Sequence, residues 1–307
     1  ERWKNIMAGI DAALPTTVNV ISSIDDDEKM GVVTAYSDVQ PSKYYLYNFE
    51  TNEMEWLTDS RPWVDESKMA PMEHYSFTSR DGMTMHGYIT IPKGSDGKNL
   101  PLIVNPHGGP EARDGWGYNP EHQFLANRGY AVLQINFRGS TGFGREHWKS
   151  HFKEWGQNMQ NDVTDAVMWA ISEGIADADR VCIYGGSYGG YATMAGLAFT
   201  PDLYKCGINY VGVTDLAQLF KSMPDAWESQ KYIMAQKVGD PDTEEEFLEQ
   251  RSPTHHADQI KAPVFMAYGL QDPRVTIDHL HLMEKAMDKA GVKYESMVKK
   301  DEGHGYR

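Results

Sequence analysis

The stretch VCIYGGSYGG, residues 181 to 190, opens as a short β-branched strand and runs into Gly185-Gly186-Ser187-Tyr188-Gly189, the Gly-x-Ser-x-Gly form of a nucleophile elbow. A serine in the middle of such a turn sits on a sharp strand-to-helix bend, where a Cβ two residues to either side would strike neighbouring backbone. Its hydroxyl is thereby pushed outward. The pattern alone recurs by chance in about one chain in ten of this length, so the flanks decide its meaning. They agree: RVCIY (180 to 184) reads as a strand, and YATMAGLAF (191 to 199) carries small residues with Met and Leu at helical spacing.

A nucleophile so placed needs an acid and a histidine later in the chain, in the order Ser, Asp, His, each on a loop that leaves a strand. PVFMAYG (263 to 269) reads as a buried strand whose exit carries Gln271-Asp272-Pro273-Arg274, and KYESMVKK (293 to 300) as a strand whose exit carries Asp301-Glu302-Gly303-His304-Gly305. Ser187 is expected to attack a carbonyl, His304 to take its proton and later protonate the leaving group, and Asp272 to hold the imidazole tautomer. The blander alternative makes His304 one of 11 histidines near a terminus and Asp272 a turn residue before proline; it explains neither the order nor the strand context. The oxyanion needs two backbone donors. Tyr188 supplies one, and LPLIVNPHGGP (100 to 110), a strand ending in His107-Gly108-Gly109-Pro110, supplies the other at Gly109.

HGGP, NFRGSTGFGREHW (136 to 148), GGSYGGYAT (185 to 193), GLQDPRV (269 to 275) and EGHGYR (302 to 307), in this fixed order, resemble the catalytic domain of the prolyl oligopeptidase family of serine peptidases, nearest its acylaminoacyl-peptidase and dipeptidyl-peptidase branches. The likeness spans roughly residues 75 to 307. It implies an α/β-hydrolase domain paired with a β-propeller that screens short peptide substrates by size. It also implies that the stretch 207 to 220 helps line the pocket for the residue before the cleaved bond, which makes Val213, Leu216 and Phe220 candidates, and that Arg274 holds substrate backbone. His107 is counted among the substrate-binding residues. Two members of the family carry a tyrosine there whose hydroxyl assists the oxyanion; a histidine is typical of the acylaminoacyl branch, which favours backbone donors.

The chain has 307 residues, 40% hydrophobic and 24% charged, enough for one large core domain and something smaller. A net charge of −15 argues against a nucleic-acid partner, and no apolar run is long enough to span a membrane. The compartment is not legible, with the cytoplasm slightly favoured over the periplasm, and a homo-oligomer is compatible with the sequence. The Asp25-Asp26-Asp27-Glu28 run lacks a glycine-centred calcium loop and reads as a solvated turn. Cys182 and Cys206 fall in predicted strands and are expected as buried free thiols; their spacing matches no zinc pattern, so neither a metal nor another cofactor is expected.

A break falls near residue 70. Before it, residues 30 to 39, 43 to 50 and 53 to 59 read as three short strands, a short antiparallel segment that resembles the last blade of a propeller. One blade cannot close a ring, so residues 1–74 are expected to be the remnant of a propeller in a longer enzyme. From residue 75 to 307 strands and helices alternate: an α/β-hydrolase with a mostly parallel sheet and helices on both faces. A closing helix after the histidine loop is expected to be missing, and His304 to be loose in consequence. The expected activity is hydrolysis of short peptides through an acyl-enzyme on Ser187. A carboxylesterase on the same fold is the alternative, and a non-enzymatic binding domain follows only if the triad fails to assemble.

Overall fold

The computed structural model describes residues 1–306 and, apart from Asp225, their side chains; Arg307, the last residue of EGHGYR, lies outside the described residues. The chain divides into two compact units, one of Glu1–Glu73, Thr90–Ser95 and Gly115–Gly129, the other of His74–Ile89, Asp96–Asp114 and Tyr130 onward. The division therefore differs from a single boundary at 74/75. Hydrogen bonds draw 115–129 to the first unit: Gln123 Oε1 accepts from the Ala70 amide at 2.8 Å, Gln123 Nε2 donates to Ala70 O at 2.8 Å, and Trp116 Nε1 donates to Met72 O at 3.0 Å.

In the first unit a helix, α1 (Arg2–Ala13), precedes an antiparallel sheet of β1 (Val18–Ile24), β2 (Met30–Tyr36), β3 (Lys43–Asn48) and β4 (Met54–Asp59), in that spatial order; α2 (Pro120–Ala126) completes the unit. Four strands stand where sequence pattern predicts three. VNVISSI escaped notice because Val18, Val20 and Ile24 stay exposed, so its pattern lacks a clean buried face and its place comes from pairing along β2. Ile6 and Ile10 of α1 pack against Val33, Tyr47 and Phe49 to form this unit's core.

The second sheet has eight strands: β5 (Met72–Thr78), β6 (Thr84–Thr90), β7 (Leu100–Val104), β8 (Ala131–Asn136), β9 (Ala176–Gly186), β10 (Cys206–Tyr210), β11 (Val264–Gly269) and β12 (Tyr294–Lys299). Their spatial order is β12-β11-β10-β9-β7-β8-β6-β5, and the pairs from β12 through β8 run parallel. Buried parallel strands need apolar residues on both faces, and all six residues of β8 are buried. Between the strands lie α3 (Arg145–Lys149), α4 (Asn158–Ser172), α5 (Tyr188–Phe199), α6 (Leu216–Lys221), α7 (Glu228–Val238), α8 (Glu245–Glu249) and α9 (Asp278–Ala290). Every residue of α5 from Tyr188 to Ala198 is buried, so this helix is anchored on all sides. Full burial of a side chain such as Met194 contributes about 1.5–3 kcal/mol. No helix among the described residues is long and apolar enough to cross a membrane.

The expectation of free thiols is corrected. β9 and β10 pair in a register that sets Cys182 directly opposite Cys206, with Cα atoms 4.8 Å apart, and the two sulfurs are joined in a disulfide. Two cysteines 24 residues apart can meet only if their strands are neighbours in this register, which spacing alone does not reveal.

Candidate active site

β9 delivers Ser187 to the sheet's edge, and α5 starts at the next residue. Ser187 has φ 58° and ψ −119°, a backbone state that costs about 1–3 kcal/mol and persists only where the surroundings enforce it. Here they do. The Ser187 amide donates to Tyr210 O at 2.9 Å, and the flanking glycines let α5 sit against its neighbours. A Cβ on Gly185 would lie 2.4 Å from Gly189 O, one on Gly189 2.2 Å from Pro106 O, and one on Gly190 2.4 Å from Asn209 Oδ1.

The exits of β11 and β12 bring the other two groups to the serine. His304 Nδ1 lies 2.7 Å from Asp272 Oδ2, and His304 Nε2 lies 3.0 Å from Ser187 Oγ. A carboxylate can only accept, so Nδ1 donates its proton to Asp272 and the Nε2 lone pair faces the serine hydroxyl. Asp272 Oδ1 is held by the amides of Arg274 (2.8 Å) and Val275 (3.0 Å). Burial pushes the Asp272 carboxyl up, but the hydrogen bonds from His304, Val275 and Arg274 outweigh it and leave the group below its ordinary value.

The expectation that His304 is loose is therefore corrected. Its loop is tied down within the described residues: Gln271 N donates to Glu302 O at 2.9 Å, and the Tyr210 hydroxyl bonds both the amide and the carbonyl of Tyr306. The rings of Tyr210 and Tyr306 also meet edge to face, 5.1 Å apart.

Tyr188 is the first residue of α5, so its N–H has no intrahelical carbonyl to bond. Gly109 adopts φ 129°, open to glycine but not to side-chain-bearing residues, and lines the same cleft as Ser187. His107 is a correction: it does not line the cleft. Its Nε2 is 2.8 Å from Ser140 Oγ, its Nδ1 2.7 Å from Gly108 O, and its ring stacks on Phe137 at 4.3 Å, so both nitrogens are occupied in shaping the glycine turn. Burial lowers its pKa to about 4, against a smaller opposing effect of the Gly108 carbonyl, and the ring is neutral at pH 7.

The cleft beside Ser187 encloses about 610 Å³. Val213, Arg274 and Val275 line it, as do Gly109, Tyr188 and His304. Leu216 and Phe220 do not; they are 0% and 5% exposed and belong to the core. Periodicity does not separate them, because 216, 219, 220 and 223 follow the i, i+3, i+4, i+7 spacing of one helix face; Leu219 of α6 and Met223, which lies beyond the end of α6, line the cleft through packing. Residues that sequence inspection passed over complete the wall: Trp155, Trp227, and Ile233 and Met234 of α7. The signal available was α7 itself, whose only buried residue is Val238 although it carries Tyr232, Ile233 and Met234. Val211, two residues before Val213, has φ 45°, rare for a β-branched residue and a second strained point of the backbone. The guanidinium of exposed Arg274 makes no ion pair among the described residues.

A family model described as the prolyl oligopeptidase family matches residues 116–307. The chain belongs to the prolyl oligopeptidase family. Dipeptidyl aminopeptidase BIII of Pseudoxanthomonas mexicana is 39% identical over 323 aligned positions, covering 100% of this chain and 47% of that protein. A puromycin-hydrolyzing peptidase of Mycobacterium tuberculosis superposes with TM-score 0.82 at 28% identity, covering 91% of this chain and 43% of that one. The acylaminoacyl peptidase of Pyrococcus horikoshii does so with TM-score 0.81 at 26% identity, covering 94% and 46%. The chain thus spans about half the length of the relatives it matches. The eight-stranded sheet and its helices form the α/β-hydrolase domain of the prolyl oligopeptidase family, whose members are serine peptidases, and the antiparallel sheet is separate.

Proposed function

We propose that the protein hydrolyses short peptides through an acyl-enzyme on Ser187. One observation carries this: the continuous Asp272–His304–Ser187 hydrogen-bond chain, at 2.7 and 3.0 Å, opening into a cleft with apolar walls. His304 Nε2 takes the Ser187 proton as Oγ attacks the carbonyl, and the imidazolium that forms is stabilised by Asp272. The amides of Gly109 and Tyr188 receive the charge that develops on the carbonyl oxygen. His304 then protonates the departing amine, and water releases the acyl group by the same steps in reverse. Val213, Leu219, Met223 and Trp227 suit an apolar side chain before the cleaved bond, and the Arg274 fork suits a substrate carbonyl or carboxylate. Residues 1–74 are proposed as the last blade of a propeller and its linker, with 75–307 as the catalytic domain.

Fluorophosphonate labelling followed by assays on aminoacyl p-nitroanilides and p-nitrophenyl esters tests the proposal. Labelling at Ser187 and turnover of anilides are expected, with Ser187→Ala losing about 10⁶-fold in kcat at unchanged Tm. Ester turnover without anilide turnover would make the protein a carboxylesterase. Unchanged turnover in Ser187→Ala would remove Ser187 from the chemistry.

A further inference from the structure

Glu111 follows the Gly109-Pro110 turn directly and lines the active-site cleft. Its carboxylate takes no part in the triad. Instead Oε1 accepts a hydrogen bond from Lys237 Nζ, at the last turn of α7, and His151 Nε2 lies 3.2 Å away. The His151 ring is wholly buried, with its Nδ1 bonded to Trp148 O, and Lys237 Nζ lies 5.3 Å from the centre of the Trp148 ring. Burial acts against charge on Glu111, but Lys237, with His151 and Trp148 adding to it, outweighs burial and leaves the carboxyl below its ordinary value.

Both ends of this ion pair matter to the cleft. At one end, the turn that carries Gly109 is also fastened on its N-terminal side by His107, and past Pro110 by the backbone hydrogen bonds Ala112 N to Pro110 O (2.8 Å) and Thr141 N to Ala112 O (2.9 Å). At the other end, α7 supplies Ile233 and Met234 to the cleft wall, yet its own packing is thin: only Val238 is buried, and Tyr232 and Ile233 are 70% and 50% exposed. Besides Glu111, the C-terminal end of α7 is fastened by Lys153 N donating to Lys237 O at 2.6 Å.

Resting on the hydrolase reading above, we propose that Glu111 is a positioning residue. Through Lys237 it keeps the Gly109 amide and the α7 wall in register, so that the oxyanion donor and the substrate wall are set by one contact. Displacement of an oxyanion donor is costly because the donor must already point at the developing charge, and a shift near 1 Å can cost about 10²-fold.

The test compares Glu111→Gln, Lys237→Met and the double variant on p-nitrophenyl acetate, too small to reach α7, and on an aminoacyl p-nitroanilide. Hydrogen exchange of residues 228–238 is followed in parallel. Glu111→Gln should lower kcat about tenfold on both substrates, leaving KM for the acetate unchanged. Lys237→Met breaks the same contact and should show the same fall in kcat, and both single variants should raise KM for the anilide. Losses in the double variant should match the worse single variant rather than multiply, and exchange in 228–238 should quicken in every variant. Wild-type kcat in Glu111→Gln, or multiplied losses in the double variant, would overturn the proposal. Should the wild type prove inert to both substrates and to fluorophosphonate, the hydrolase reading fails, and exchange alone then decides: faster in Lys237→Met supports the contact, unchanged overturns it.

Discussion

Gly189 presses its Cα against the carbonyl of Pro106 so closely that a Cβ there would stand 2.2 Å from the oxygen. The elbow and the loop proposed to hold the oxyanion meet at this point. A methyl group cannot be absorbed, because the opposing atom is backbone that leads directly into His107 and Gly109. Gly189→Ala should therefore separate Tyr188 from the Gly109 turn, cutting kcat by about 10²-fold or more with a stability loss of about 1–3 kcal/mol. Paired measurements of kcat and chemical denaturation check this; near-wild-type values of both would mean that the elbow tolerates far more space than the geometry allows.

Arg274 follows Asp272, the proposed triad acid, on the cleft rim. Exchange for lysine retains the charge but loses the planar fork of donors. Arg274→Lys is expected to weaken kcat/KM for peptides by about tenfold or more, with small activated esters nearly unaffected. Equal losses on both substrates would show instead that the arginine supports the Asp272 loop.

Leu216 of α6 and Met223 just beyond it should respond differently. Leu216 is in the core, so Leu216→Ala should cost about 2–5 kcal/mol of stability and leave the ranking of substrates alone. Met223 lines the cleft, so Met223→Trp should shift preference towards smaller side chains before the cleaved bond at little cost in Tm. Profiling a series of aminoacyl p-nitroanilides reads the difference; a changed ranking in Leu216→Ala but not in Met223→Trp would reverse the assignment of the two residues to core and cleft.

His279 is buried, and its pKa is lowered to about 4, burial being the dominant cause over the opposing carboxylates Asp215, Asp278 and Asp272. The unfolded chain would bind that proton at its ordinary value near 6.5. Between those values the unfolded state carries more protons than the native one, so stability falls as pH drops from about 6.5 to about 4, and is flat in this respect outside that window. The native state should lose on the order of 2–3 kcal/mol through this residue. Urea denaturation at pH 7.5 and 4.5 of wild type and His279→Gln isolates the contribution from the other titrating groups. An identical fall in both proteins would show that His279 takes up its proton without unfolding.

What the sequence by itself determined was local chemistry and order. The glycines around Ser187, the strand exits carrying Asp272 and His304, and the turn at Gly109 are legible because each demand falls on residues within a few positions of one another, where steric rules for turns and strands operate directly. Tertiary structure decided everything that depends on partners distant along the chain. Which of Leu216, Leu219 and Phe220 meets the cleft is settled by packing, because their spacing puts all three towards one side of α6. Cys182 and Cys206 are joined because β9 and β10 lie side by side in one register. The loop that carries His304 is held by the Tyr210 hydroxyl, which bonds Tyr306 96 positions further along the chain. Likewise Glu111 meets Lys237 126 positions away, an encounter created only when the sheet brings its loops to a common edge.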